Sequence, residues 1–320
     1  MDANMDQTSI TAFVYESKLK DWYGRASVRV KPQRVLIDEE AEGQIYFPPE
    51  LVPVSQHQLV RNLGEWAIRR VLIQRLYMYL EFTAQLEHDV VNRVAHQIAH
   101  QQLGVDLPME MVLDAYKIYT DEAYHAQFSA ELKYQIELAT GVAPNPTGAP
   151  RCLRLLRELL LSVPIEMRQL AEVFFTIVSE TLISAILSQI PRDKRIVGTV
   201  RLLVADHAED EGRHHAYFAK LLEFLWPQLN LKQKLIIGPL LSRFVLAFLE
   251  PDYAAIECEL AGCGLKQSEI QQIMQESYPH STVAADIREA AKATLRLFER
   301  NGVFVNRQIW DAFQQNDLIS

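Results

Sequence analysis

Asp121-Glu122-Ala123-Tyr124-His125 and Asp210-Glu211-Gly212-Arg213-His214 are two copies of one pattern, Asp-Glu-x-x-His, each about midway along a stretch of helical apolar periodicity. A Glu and a His three apart share one helix face, so a single helix brings a carboxylate and an imidazole to one point. By composition alone, one such match arises in roughly a few chains per hundred of this length, and two on matching helices far less often. Taken singly, each residue would read as part of a solvated face. The repetition reads as an inward-facing site.

Working outward, the periodicity predicts helices over roughly 57–102, 108–140, 151–163, 165–190, 194–225, 231–249, 266–277, 282–299 and 304–315. Residues 1–54 read as irregular, with a short extended piece at Ser27–Asp38 and a Pro-rich turn at Phe47–Pro53. Gly104-Val105-Asp106-Leu107-Pro108 and Pro191-Arg192-Asp193-Lys194-Arg195 are short turns between long helices, which makes the joined helices antiparallel neighbours. Gly141–Pro150, followed by a helix that Pro164 ends, makes a longer crossover. Two helical hairpins joined by a crossover give the expected fold: all-α, a ferritin-like four-helix bundle with additional helices and an irregular N-terminal segment. The expected organisation is a segment 1–54 packed on a single helical domain 55–320, with metal-bearing helices within about 57–225 and accessory helices over 231–315.

A paired-metal site of this kind needs one further carboxylate from each partner helix, and antiparallel folding fixes its level. Reflecting Glu122 across the first turn lands in the mid-to-upper 80s, where Glu87 sits, with Glu81 as a local rival. Reflecting Glu211 across the second turn lands on Glu180, inside the apolar run Val173–Ile190. A carboxylate buried there costs several kcal/mol unless a cation or a proton accompanies it. His207 lies one turn before Glu211, so His207, Glu211 and His214 fall within about 60° of one another at about 100° per residue. That spare imidazole is assigned to the second metal. Oxygen-rich ligation with a few imidazoles suits iron, with manganese as the substitute, rather than zinc or copper. Asp121 and Asp210 are expected behind the histidines of the facing helices, Asp121 with His214 and Asp210 with His125, and Arg213 beside one of the two.

Composition narrows the class. The chain has 320 residues, is 49% hydrophobic, and sets 32 basic against 41 acidic residues for a net charge of −9, which argues against nucleic-acid or anionic-membrane binding. Three cysteines, Cys152, Cys258 and Cys263, show no metal spacing and no disulfide framework, which fits a cytoplasmic protein. The N-terminus has no secretory pattern. The Val173–Ile190 run carries Glu180 at its centre and reads as a buried helix rather than a membrane span. His96 and His100 are four apart, but His96 is about 180° around the helix from Glu87 and reads as a surface group.

On these residues the chain resembles the AurF-like p-aminobenzoate N-oxygenases, non-haem di-iron enzymes with a ferritin-like core. That family's pattern is a Glu, then Glu-x-x-His, then a lone Glu, then His-x-x-x-Glu-x-x-His. Here it is supplied by Glu87, by Glu122 with His125, by Glu180, and by His207 with Glu211 and His214. The similar intervals favour Glu87 over Glu81. The resemblance implies two iron ions that activate dioxygen as co-substrate, oxidation of an amine toward hydroxylamine, nitroso or nitro products, an external electron donor and a homodimer. Side chains flanking the ligands are mostly apolar or small. Tyr79, Thr83, Phe128, Thr176 and Ser184 are the expected pocket, and no Arg on those faces clamps a substrate carboxylate. Competing readings are a di-iron C–H hydroxylase, which Asp-Glu-x-Arg-His also resembles, and an iron-binding ferritin-like protein without oxygenase activity.

Overall fold

The computed structural model describes residues 13–37, 43–146, 148–187 and 189–319, with backbone only for 184–187. Its first long helix, α1, starts after Gly64, whose φ of 98° is a conformation that glycine adopts without strain. α1 runs over Glu65–Leu86, passes without a break through a π turn at Glu87–Val91 and continues over Asn92–Ala99. α2 spans Met109–Thr140 and ends at Gly141 in the left-handed conformation, with the Gly141 amide bonded to the Glu137 carbonyl. α3 (Arg151–Leu161) forms the crossover, α4 spans Arg168–Leu187 and α5 spans Gly198–Gln228. The accessory helices are α6 (Leu231–Leu249), α7 (Tyr253–Ala261), α8 (Gln267–Ser277), α9 (His280–Arg300) and α10 (Arg307–Gln315).

α1 packs along α2 and α4 along α5. The two hairpins meet where α2 touches α5 and where the π turn and second half of α1 touch α4. α4 is apolar nearly all round because it is enclosed on every side: Val173, Phe174, Phe175, Ile177 and Val178 are fully buried. Each such side chain contributes about 1.5–3 kcal/mol of burial. α6 and α9 cover the outer side of α4, and α10 lies on α6. Among the described residues, no helix is long and apolar enough to cross a membrane.

Three expectations are corrected. Ser27–Val30 is a helical turn preceded by another at Trp22–Arg25, so the extended piece expected over Ser27–Asp38 is confined to the residues after Val30; Asp38 lies outside the described residues. Strand-like pairing among the described residues is a single parallel bridge between Ile45 and Ile196. The first predicted helix begins later, because Pro53–Gln56 and Gln58–Arg61 are separate turns cut off by Gly64. α7 was not predicted. It is a single short helix whose start is set by the Asp252 side chain accepting from the Ala255 amide at 3.3 Å.

The segment 13–37 lies as a strap along the α2–α5 face. Tyr15, Leu19, Trp22 and Ala26 are buried under it. Asp114 on α2 holds one end, accepting from Tyr15 Oη at 2.7 Å, Ser17 Oγ at 2.8 Å and the Lys18 amide at 3.1 Å. Arg34 pairs with Asp206 on α5 at the other end.

Candidate metal centre

Two overlapping groups of buried side chains meet inside the bundle. Glu87, His125, His207 and Glu211 form one, and Glu122, His125, Glu211 and His214 the other; within each group, one donor atom per residue lies within 4.8 Å of all the rest. Donors around a metal ion sit about 2.0–2.6 Å from it, so such a group spans the reach of one ion. Glu211 and His125 belong to both groups; the His125 ring centre lies 4.6 Å from that of His207 and 5.8 Å from that of His214, so His125 sides with His207. Glu180 stands outside both groups but is buried in α4, where the charges of Glu211, Glu122 and His214 act on it.

The local backbone explains part of this aim. Glu87 opens the π turn of α1, a distortion that inserts an extra residue into a helical turn and is frequent at functional sites. Glu122–His125 and Glu211–His214 keep the i,i+3 relation that regular helix gives. His207 falls with Glu87 and His125, its Nε2 lying 2.8 Å from Glu87 Oε1 and 3.4 Å from Glu211 Oε1. The assignment of His207 and His214 to one ion from their shared helical face thus differs from the grouping observed. Proximity across the bundle outweighs the common face.

Behind the histidines, His125 Nε2 is 3.0 Å from Asp210 Oδ2 and His214 Nε2 is 3.2 Å from Asp121 Oδ2. The Arg213 guanidinium also bonds Asp210. A carboxylate only accepts, so Nε2 carries the ring proton in both imidazoles. The other nitrogen, Nδ1, faces further carboxylates: His125 Nδ1 is 3.1 Å from Glu122 Oε2, and His214 Nδ1 is 3.0 Å from Glu122 Oε1 and 3.2 Å from Glu211 Oε1. Either a second ring proton on Nδ1 or a metal cation between the groups satisfies these contacts. Both oxygens of Glu87 and of Glu180, Glu122 Oε1, Glu211 Oε2 and His207 Nε2 are buried without a hydrogen-bond partner. The donor set therefore fits metal ions.

The electrostatics are those of a buried cluster. Burial pushes Glu87 up to about 7, with the His207 charge opposing and Glu122 adding to the rise. Burial, then Glu211 and Glu122, hold Glu180 well above the usual carboxylate range. Burial also works against charge on His125, His207 and His214, but the surrounding acidic groups raise all three well above an ordinary histidine.

Of the expected pocket residues, Tyr79 places its hydroxyl 3.1 Å from His207 Nδ1, and Phe128 lies with its ring centre 5.2 Å from that of His125. Thr83 is buried between Tyr79 and Glu87 on α1, its hydroxyl without a hydrogen-bond partner. Thr176 donates to the Glu172 carbonyl of its own helix, 3.1 Å away. The Ser184 side chain lies outside those described. Sequence reasoning missed Trp22 and Ser27, which reach Asp121 and Asp210 from the strap; a lone buried-type Trp in a polar segment was the one available signal. His96 and His100 are exposed and stack on each other.

Fold and site together define an all-helical bundle with a buried His/Glu cluster that could hold metal ions. Residues 32–302 match the family described as P-aminobenzoate N-oxygenase AurF, and the chain belongs to that family. It is similar to 4-aminobenzoate N-oxygenase of Streptomyces thioluteus, at 24% identity over 259 residues that cover 78% of this chain and 76% of the relative. It is accordingly an oxidoreductase of the N-oxygenase type.

Proposed function

We propose that the chain oxygenates the nitrogen of a small amine, using two iron ions held by Glu87, Glu122, His125, Glu180, His207, Glu211 and His214, with manganese as a possible occupant of the same donors. The observation that carries this reading is the pair of His/Glu groups sharing Glu211 and His125, in a chain of the N-oxygenase family. Bound iron would supply the activation of dioxygen. The protein's own part is binding, orientation and exclusion of water. Asp121 and Asp210 fix the ring proton of His214 and His125 on Nε2, leaving Nδ1 for a metal. Four carboxylates offset the charge of two divalent ions. Phe128, buried against His125 and His207, keeps bulk water away from the reacting nitrogen.

The described side chains on the inner faces beside the ligands, Tyr79, Thr83, Phe128 and Thr176, carry no charge, and the nearby Arg93 and Arg213 are engaged by Glu172 and Asp210. This favours an amine without a carboxylate over 4-aminobenzoate itself. We further propose a homodimeric cytoplasmic enzyme, one helical domain plus its strap, that receives electrons from an external donor. Incubating the iron-loaded, reduced protein and oxygen with aniline, 4-aminobenzoate and an alkylamine tests the reading. Hydroxylamine, nitroso or nitro products, formed fastest from an uncharged amine, are expected. Products oxidised only at carbon would favour a hydroxylase instead.

A further inference from the structure

We propose that the N-terminal strap is a working layer of the metal centre, in which Trp22 and the Ser27 amide are positioning residues, each aiming one of the two Asp-backed histidines. The Trp22 indole Nε1–H donates to both oxygens of Asp121, at 2.8 and 2.9 Å, and Asp121 Oδ2 in turn meets His214 Nε2 at 3.2 Å. The Ser27 amide donates to both oxygens of Asp210, at 3.3 and 3.2 Å, and Asp210 Oδ2 meets His125 Nε2 at 3.0 Å. The doubled Asp-Glu-x-x-His is thus met by a doubled donor, one from each short turn of the strap. Both aspartates and both histidines are fully buried. A carboxylate fixed through both oxygens cannot rotate, and a histidine bonded to it keeps its ring plane.

The strap is tied down independently of these contacts. Asp114 grips Tyr15 and Ser17, and Val35 and Leu36 bond Thr199 Oγ1 and Gln135 Oε1 beyond the second turn. Trp22 and Ser27 are therefore held at fixed points between two anchors. The inference rests on the two-metal reading above, but its test measures metal binding and not turnover.

Three full-length variants separate positioning from mere clamping. Trp22→Phe keeps an aromatic ring and removes the N–H. Ser27→Pro removes the amide donor at the first position of a helical turn, where proline is tolerated; Ala26 before it has φ −60° and ψ 135°, which suits a following proline. Ser27→Ala removes only the hydroxyl, which donates to the Asp206 carbonyl at 3.1 Å. The readouts are iron stoichiometry against a chelator and the Mössbauer spectrum, with the signal lost in Glu180→Gln marking the His214 half; circular dichroism of the metal-free variants checks that the bundle is intact.

Trp22→Phe should weaken the ion on the His214 half by about 10–100-fold, and Ser27→Pro the ion on the His125 half by a similar factor, each leaving the other ion's spectrum as in the parent. Ser27→Ala should bind two ions as the parent does. Equal loss of both ions in both variants, or no loss in either, overturns the proposal and leaves the two-metal reading standing. A parent protein that takes up no metal overturns that reading instead, and this proposal with it.

Discussion

Tyr79 Oη lies 3.1 Å from His207 Nδ1, and the opposite nitrogen of the same ring lies 2.8 Å from Glu87 Oε1. With the phenol on Nδ1, Nε2 is the nitrogen left to meet a metal in the proposed centre. This contact gives Tyr79 a supporting role in the proposed centre beside the pocket position expected from the sequence. Tyr79→Phe keeps the ring and removes this bond, so iron affinity on the Glu87–His125–His207 half should fall by about 10-fold with the melting temperature of the metal-free protein nearly unchanged. A chelator competition curve identical to the parent's would refute this role.

Glu180 is a buried carboxylate with no hydrogen-bond partner on either oxygen. In a bundle without metal it is a burden, because burial and the acidic neighbours Glu211 and Glu122 disfavour its charge. Glu180→Gln should raise the melting temperature of the metal-free protein by a few degrees and lower iron binding from two ions per chain toward one. Calorimetry with and without iron reads both effects. A variant less stable without metal, or as tightly loaded with it, would contradict the assignment.

Asp114 ties the strap to α2 through Tyr15, Ser17 and the Lys18 amide, and it also accepts from Lys117 of its own helix, which donates to the Leu19 carbonyl of the strap. Removing a buried, multiply bonded carboxylate leaves several donors unpaired, so Asp114→Ala should cost about 3–5 kcal/mol. Proteolysis within residues 13–37 should quicken at the same time. Unchanged protease resistance of that segment would show that other contacts hold the strap.

Stability should depend on pH through Glu259, which faces Arg75 at 3.5 Å in the interface of α1 and α7. Burial pushes its carboxyl up to about 7, against the opposing Arg75 charge. A carboxyl whose folded pKa is raised binds more protons folded than unfolded, so its favourable contribution is complete below about pH 4.5 and is lost as pH rises to about 7. The loss amounts to about 3 kcal/mol. Glu259→Gln, which stays neutral, should therefore gain stability relative to the parent between about pH 5 and 7, and the difference should level off above. Denaturant melts of both proteins across that range measure it; parallel curves would rule out a raised pKa.

The bundle was legible because helical periodicity and short turns are local signals, and because antiparallel reflection converts Glu122 and Glu211 into levels on the partner helices. That reflection pointed to Glu180, and to Glu87 beside its rival Glu81, between which the family resemblance chose. What stayed hidden depends on long-range packing. Trp22 meets Asp121 across 99 residues and Ser27 meets Asp210 across 183, and an irregular strap has no period to announce either contact. The grouping of His207 with His125, and not with His214, depends on how α1 and α5 are rotated against each other, and the π turn at Glu87 leaves no mark in the apolar pattern.

The most direct test of the central claim follows isotopically labelled dioxygen through a single turnover of the iron-loaded, reduced protein with an uncharged aromatic amine, with metal content measured on the same sample. Two iron ions per chain and labelled oxygen bonded to the amine nitrogen are the expected result. Product labelled only at carbon, or labelled equally well by a Glu122→Ala, Glu211→Ala double variant that binds no iron, would contradict the account.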